Sequence, residues 1–172
     1  MDRIEKVNLA KKGDENAFYE LISDKKEMLY KTAYTYVRNK EDALDIVSEA
    51  VYKSYISIKK LKDPRFFDTY LIRILINSAL DFIKKNKRTI EINEAITKEY
   101  KENLELEEKF DLKEALNNLD ERYKTVIILK YFNGFTLEEI AKTLEKPLGT
   151  VKTNLYRGLK ILKLDLKEAE VI

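Results

Sequence analysis

The chain has 172 residues, 44% apolar and 37% charged, with four glycines and two prolines, a composition that favours a soluble, helix-rich fold of one domain or two small ones. It holds no cysteine, which excludes disulfides and cysteine zinc sites, and no histidine, which removes the side chain best suited to acid–base chemistry near neutral pH. Its scattered glycines build neither GxxxxGK[ST] nor GxGxxG, and no grouping of carboxylates and lysines suggests catalysis, so the sequence points away from an enzyme and implies no cofactor or metal.

No apolar run approaches the roughly 18 to 20 residues that span a bilayer. The first residues, MDRIEKVNLAKKGDENAF, lack the apolar centre of a secretory signal, so a cytoplasmic location is expected. The net charge of +2 hides an asymmetry. Residues 1–88 carry 19 basic and 14 acidic side chains, 89–108 carry 2 and 7, and 109–172 carry 12 and 10.

In chain order, the apolar period predicts a helix over Asn8 to Glu20 and another around Met28, Leu29, Ala33, Tyr36 and Val37. A third opens near Asn39 to Asp42, where Asn or Asp can cap it, and runs towards Lys60. Along it Leu44, Val47, Val51, Tyr55 and Ile58 recur at helical spacing as the expected buried stripe. Pro64 in LKDPRFF lacks an amide donor and pushes Asp63 out of the helical region. A further helix is expected from about Phe66 to Lys87, with Phe67, Leu71, Ile74 and Phe82 lining the core. The segment 89–108, TIEINEAITKEYKENLELEE, is acidic and sparsely apolar and reads as a linker. From Phe110 the period returns with Leu112, Leu116 and Leu119, then Val126, Ile127 and Leu129 to Phe132. Asn133-Gly134 supplies a stop, and Thr136 with Glu139 a capping box. The expected fold class is all-α: two small helical domains, 1–88 and 109–172, joined by the acidic linker 89–108.

The sharpest local signal is in the second domain. TLEEIAKTL, EKPLG and TVKTNLYRGLKILK have the spacing of a helix-turn-helix. Leu137, Ile140, Ala141 and Leu144 can face the core from the first helix, and Val151, Leu155, Leu159 and Leu162 from the second. The opposite face of the second helix carries Lys152, Thr153, Tyr156, Arg157 and Lys160, and Thr150 is expected to cap its start with amides free for phosphate. A solvated basic face is the bland alternative. Against it, Lys142 to Lys163 hold six cations and a single acid, Glu145, and the face mixes hydroxyl, phenol and guanidinium groups, which favours DNA binding.

LDERYKTVIILKYFNGFTLEEIAKTLEKPLGTVKTNLYRGLKILK resembles region 4 of sigma factors of the extracytoplasmic-function (ECF) group in the sigma-70 family. The resemblance implies that Thr150, Lys152, Thr153, Tyr156, Arg157 and Lys160 meet the −35 promoter element. Asn154 stands where many relatives carry arginine, and is expected to reduce phosphate attraction or change a base contact. Gly158 stands where alanine is usual, and is expected to loosen the helix by up to about 1 kcal/mol.

The first domain is similar to region 2 of the same family. DALDIVSEAVYKSY resembles the helix that docks on the β′ clamp helices of core RNA polymerase, which implies contacts through Asp45, Ser48, Glu49 and Tyr52. Ser48 replaces a frequent glutamine and loses a long hydrogen-bonding arm; a merely solvated face is the alternative. PRFFDTYLIRILINSALDFIKKNKR resembles the segment that recognises and opens the −10 element, with the loop Lys62 to Phe66 as the place where a base is captured. Lys62, Arg65, Phe66, Tyr70, Arg73, Asn77, Lys84 and Arg88 are the residues so implied, with Asp81 on the same outward stripe and Asn77 as the base-proximal polar group. Tyr70 stands where relatives often have tryptophan and is expected to be partly core.

The resemblance therefore implies a non-enzymatic subunit that binds core RNA polymerase through the β′ clamp helices and the β flap, recognises promoter DNA, and is restrained by a membrane-anchored anti-sigma factor. The linker would thread into polymerase channels or act as a plain tether. Two other classes stay open on the residues alone: an autonomous helix-turn-helix regulator with a dimerising or sensing first domain, and a helical adaptor that binds only protein.

Overall fold

A computed structural model describes residues 1–93 and 110–169, with side chains described for all of these but 88–93, 110, 111, 113 and 164–169. Every regular element among them is helical. The expected linker 89–108 lies outside the described residues except for 89–93, which continue a helix. Contacts divide the chain into two compact units, one chiefly Met1–Lys85 and the other chiefly the described residues after it.

The first unit contains α1 (Arg3–Lys11), α2 (Glu15–Ser23), α3 (Lys26–Val37), α4 (Lys40–Ser57) and α5 (Phe67–Asn93). The single helix expected over Asn8 to Glu20 is two. Gly13 takes φ 102°, where the absence of a Cβ avoids the usual penalty, and the Asp14 carboxylate caps α2 by accepting the Ala17 N–H at 2.9 Å. Asn39 caps α4 as its sequence suggests, accepting the Asp42 N–H at 3.0 Å. Asp68, in the first turn of α5, pairs with Arg3 and, at 3.1 Å, with Lys25, tying the starts of α1 and α3 to α5.

The buried stripe of α4 is not the expected one. Ala43, Ile46, Ala50 and Ser54 are fully covered, whereas Leu44 is 46% exposed, Tyr55 is at the surface, and Val47 and Val51 are half-buried. Of the expected set Ile58 alone is fully covered. The helix is turned by about one residue, or about 100°. Hydropathy weights leucine and valine above alanine, yet Ala43 and Ala50 are fully buried in a helix that packs along α3. In α5, Phe67, Leu71, Ile72, Leu75, Ile76 and Ala79 are buried, a wider arc than expected, while Ile74 and Phe82 are only half-buried at its edge.

The second unit contains α6 (Phe110–Asn118), α7 (Glu121–Ile127), α8 (Leu137–Leu144) and α9 (Leu148–Ala169). α7 widens into a π-helical turn at Ile128–Phe132, where the Asn133 N–H reaches back to the Ile128 carbonyl at 3.1 Å, and Gly134 follows with φ 69°. Val126 to Leu129 are buried, but Tyr131 and Phe132 project to solvent as the chain turns, and Leu112 of α6 is exposed against expectation. The capping box forms: the Thr136 N–H donates to Glu139 at 2.8 Å and the Glu139 N–H to the Thr136 hydroxyl at 3.2 Å.

Asp120 caps α7, accepting the Arg122 N–H and Nε–H, both at 3.0 Å. The Arg122 backbone N–H first, then its guanidinium and Lys146, hold the Asp120 carboxyl below its usual range. Its stabilisation is therefore complete above the unfolded pKa of about 4 and is lost as pH falls through the lower native value. Urea melts from about pH 5 to pH 2 should show this loss. In Asp120→Asn, which keeps a cap acceptor but no titrating carboxyl, the acid dependence should be shallower.

At Gly158 packing opposes the expectation drawn from helix propensity. A Cβ there would lie 2.8 Å from Ile127 Cδ1 and 3.0 Å from Tyr123 Cβ, because α7 packs directly on α9 at this point. Crowding costs about 1–3 kcal/mol against a propensity gain of about 1 kcal/mol. Gly158→Ala should accordingly lower stability by about 1 kcal/mol net, read as a lower thermal midpoint.

Candidate nucleic-acid interface

The turn before α9 is built by backbone geometry. Glu145 adopts φ 52°, and the Lys146 N–H bonds the Ala141 carbonyl at 3.0 Å, closing α8. The Val151 N–H donates to the Pro147 carbonyl at 3.1 Å, so α9 begins at Leu148 and Pro147 is its cap residue. Thr150 is thus not the expected cap; it lies in the first turn, exposed. Proline's fixed φ suits a helix start, and the helix begins as soon as the chain can turn.

The two faces of α9 separate cleanly. Val151, Leu155 and Leu162 are buried, with Leu159 half-buried, while Lys152, Thr153, Tyr156, Arg157 and Lys160 are exposed, Tyr156 by 73%. The Thr153 hydroxyl donates to the Gly149 carbonyl at 2.9 Å. Among the described residues no acid pairs with Lys152, Arg157 or Lys160, so the face carries uncompensated positive charge. Asn154, which stands where many relatives carry arginine, is only 8% exposed and packs inward on the side of α9 that carries Gly158. Residue 154 lies on the same side as Val151, Leu155 and Gly158, and its polar type concealed that position.

In the first unit, 3₁₀ turns at Ile58–Lys60 and Pro64–Phe66 shape the connection between α4 and α5. Lys62 is exposed there and Phe66 half-buried. Arg65 is exposed and bound to Asp63, with Nη2 at 2.7 Å. From this loop Tyr70, Arg73, Asn77, Asp81 and Lys84 follow along one line of α5; Asn77, Asp81 and Lys84 are exposed and Arg73 half-buried. Arg88 continues that line, with its side chain outside those described. Tyr70 is half-buried, its phenol 2.5 Å from the Ser57 hydroxyl and donating to the Ser54 carbonyl at 3.1 Å. Burial pushes that phenol's pKa up, against the Ser57 contact. Tyr70 therefore joins α5 to the end of α4 and presents only part of its ring.

On α4, Asp45, Ser48 and Tyr52 are exposed, and Glu49 pairs with Lys53 at 2.7 Å. The Ser48 hydroxyl is spent on the Leu44 carbonyl at 2.8 Å. Burial, then Asp45 and Glu41, push the Asp42 carboxyl up, a sign of the crowded negative charge at this end of the helix. Leu44, Tyr52 and Ile56 form an exposed apolar row through this face, so it is mixed apolar and acidic. The hydropathy stripe had assigned Leu44 to the core, and Ile56 was overlooked; alanines at 43 and 50 were the available clue.

Comparison with known proteins matches the sigma-70 region 2 family to residues 21–89 and the sigma-70 region 4 family to residues 109–162. The RNA polymerase sigma factor SigV of Bacillus subtilis (strain 168) is 38% identical over 158 residues, covering 87% of this chain and 91% of its own. The ECF RNA polymerase sigma factor SigW of the same organism is 30% identical over 181 residues, covering 95% and 96%. Among solved structures, CnrH in complex with the cytosolic domain of CnrY superposes with a TM-score of 0.74 at 20% identity, covering 96% of this chain and 97% of that one. The sigma factor RpoE of Bartonella quintana, solved with the anti-sigma factor NepR, gives 0.71 at 21% identity, covering 86% and 97%. These two likenesses show the fold.

Proposed function

Because the chain belongs to the sigma-70 family of RNA polymerase sigma factors, in its extracytoplasmic-function group, we infer that it is an alternative sigma factor, which binds core RNA polymerase and directs promoter-specific initiation of transcription. The observation that carries this is the presence of both modules in one chain, region 2 over residues 21–89 followed by region 4 over 109–162.

Residues 1–88 bind core polymerase and engage the −10 element, and 109–172 read the −35 element. α9 enters the major groove as duplex reader, with Thr150, Lys152 and Lys160 on phosphates and Thr153, Tyr156 and Arg157 towards base edges. Asp45, Ser48, Glu49 and Tyr52, flanked by Leu44 and Ile56, dock on the β′ clamp helices, and region 4 meets the β flap. Lys62, Arg65 and Phe66 meet the opened −10 strand, with Asn77 nearest a base and Arg73, Lys84 and Arg88 tracking the backbone. Two weak DNA sites joined by a tether and fixed in spacing by polymerase reinforce each other through effective concentration, so the isolated chain binds promoters weakly. The chain acts as a specificity subunit without catalysis of its own and works in the cytoplasm; no described helix is long and apolar enough to cross a membrane. An anti-sigma factor is its regulatory partner, as NepR is for the sigma factor RpoE, and the family resemblance further suggests that it is anchored in the membrane.

Run-off transcription with purified core polymerase, with and without this chain, on a set of candidate promoters tests the reading. Start sites that depend on the chain are expected. No such start sites, together with no co-purification with core, would sink it.

A further inference from the structure

The loop ahead of α5 contains a pairing that neither the hydropathy pattern nor the resemblance required. The Asp63 carboxylate accepts four contacts from Arg65: the backbone N–H at 3.0 Å, Nε at 3.1 Å and 3.0 Å, and Nη2 at 2.7 Å. One acid thus caps the 3₁₀ turn Pro64–Phe66 and clamps the arginine side chain within it.

A guanidinium offers five N–H donors in one rigid plane. The clamp occupies the Nε–Nη2 edge and leaves the Nη1 side open. The anchored end is the more enclosed, since the Asp63 side chain is 31% exposed and that of Arg65 71%. Arg65 above all, and to a lesser degree Lys11, hold the Asp63 carboxyl below its usual range, so it stays ionised at neutral pH. The Phe66 ring lies beside the guanidinium, with its centroid 6.0 Å from Cζ, and Lys62 adds a second exposed cation.

We propose that Asp63 is a positioning residue for promoter opening: it fixes Arg65 so that the open edge of the guanidinium receives a phosphate of the −10 strand. This rests on reading Lys62 to Phe66 as the loop that meets that strand. The fork geometry of a phosphate matches a guanidinium edge, and a side chain held in advance loses less rotamer freedom on contact. The carboxylate also subtracts from the loop's attraction for DNA. At about 0.15 M salt the Debye length is about 8 Å, so the carboxylate's effect on more distant phosphates is largely screened, while its repulsion of the phosphate bound to Arg65 itself persists and opposes the gain from positioning. In this proposal positioning is the larger effect, and the sign of the change in Asp63→Asn decides it.

Asp63→Asn keeps a cap acceptor of the same size and removes the charged clamp. With the full chain, core polymerase and a template on which the wild type initiates, open-complex formation at about 0.15 M salt should fall by about fivefold, while the melting temperature falls only slightly, since the pair is exposed and a cap acceptor remains. In an Arg65→Ala background, itself impaired, Asp63→Asn should add nothing, since the two act as one unit. Independent, multiplying effects, or a rise in opening in Asp63→Asn, would overturn the proposal. A second measurement needs no promoter: NMR of the Arg65 Nε–H in the full chain should show protection from solvent exchange that Asp63→Asn removes. An unprotected Nε–H in the wild type overturns the clamp whatever transcription shows. A wild-type chain that starts no transcript breaks the sigma-factor reading instead, and leaves the clamp to be decided by the NMR result.

Discussion

Replacing Lys152, Arg157 and Lys160 together by Glu should abolish promoter-directed transcription while leaving the fold intact. All three side chains are exposed on α9, opposite the buried Val151, Leu155 and Leu162, and none pairs with an acid among the described residues. Substitutions at such positions shift stability by no more than about 0.5 kcal/mol each. On DNA the account is different. A cation facing phosphate releases condensed counterions, and an arginine bidentate to a guanine edge contributes about 1–3 kcal/mol. Reversing three cations both removes these contacts and adds repulsion, so a loss of at least about a thousandfold is expected, equivalent to about 4 kcal/mol. Run-off yield with core polymerase measures the loss, and circular dichroism and thermal melting measure the fold. Transcription retained within about tenfold would mean that this face is only solvated, and a helical adaptor would then be the better description. Co-purification with core should survive the triple change, because the α4 face proposed to meet the clamp helices is untouched.

Ile46→Ala should destabilise the first unit by about 2–5 kcal/mol, whereas Leu44→Ala should change its stability by no more than about 0.5 kcal/mol. Ile46 is fully buried in α4 and its truncation leaves a cavity among close-packed neighbours; Leu44 is 46% exposed and leaves none. Denaturant melts of the two variants side by side give the order directly. The reverse order would restore the stripe Leu44, Val47, Val51, Tyr55 that hydropathy alone suggests. Leu44→Ala should instead weaken binding to core polymerase, together with Tyr52→Ala and Ile56→Ala. Exposed apolar residues in one row cost little to the free protein and bury profitably only against a partner.

How much of this was legible without coordinates varies by kind of signal. Asn39, the stop at Asn133-Gly134 and the Thr136–Glu139 box were all readable, since each satisfies or redirects backbone groups within about five residues of itself. The division of α9 into apolar and basic faces was readable too, because its two sets of residues differ in both size and charge. Gly13 was missed as a helix break although its left-handed φ is the kind that glycine allows, because the apolar period runs unbroken across it. Thr150 was a reasonable cap by chemistry, but a bond to the Pro147 carbonyl starts the helix earlier. The pairing of Asp63 with Arg65 sits two residues apart in plain sight, yet side-chain conformation within a turn has no pattern to announce it.

Local chemistry alone pointed to a helix-rich chain with a helix-turn-helix spacing and a basic face on its second helix; that both domains belong to one family came from their resemblance to known motifs. Caps, stops and charge patterns act over a few residues, and their meaning does not depend on what packs against them. The tertiary structure decided which face of α4 is core, that Asn154 turns inward, and that Gly158 sits where α7 meets α9, so that packing there opposes the propensity for alanine. Those outcomes depend on how closely a neighbouring helix approaches. A small residue permits that approach at Gly158, and the distance of 2.8 Å from a notional Cβ there to Ile127 Cδ1 exists only once α7 and α9 have met.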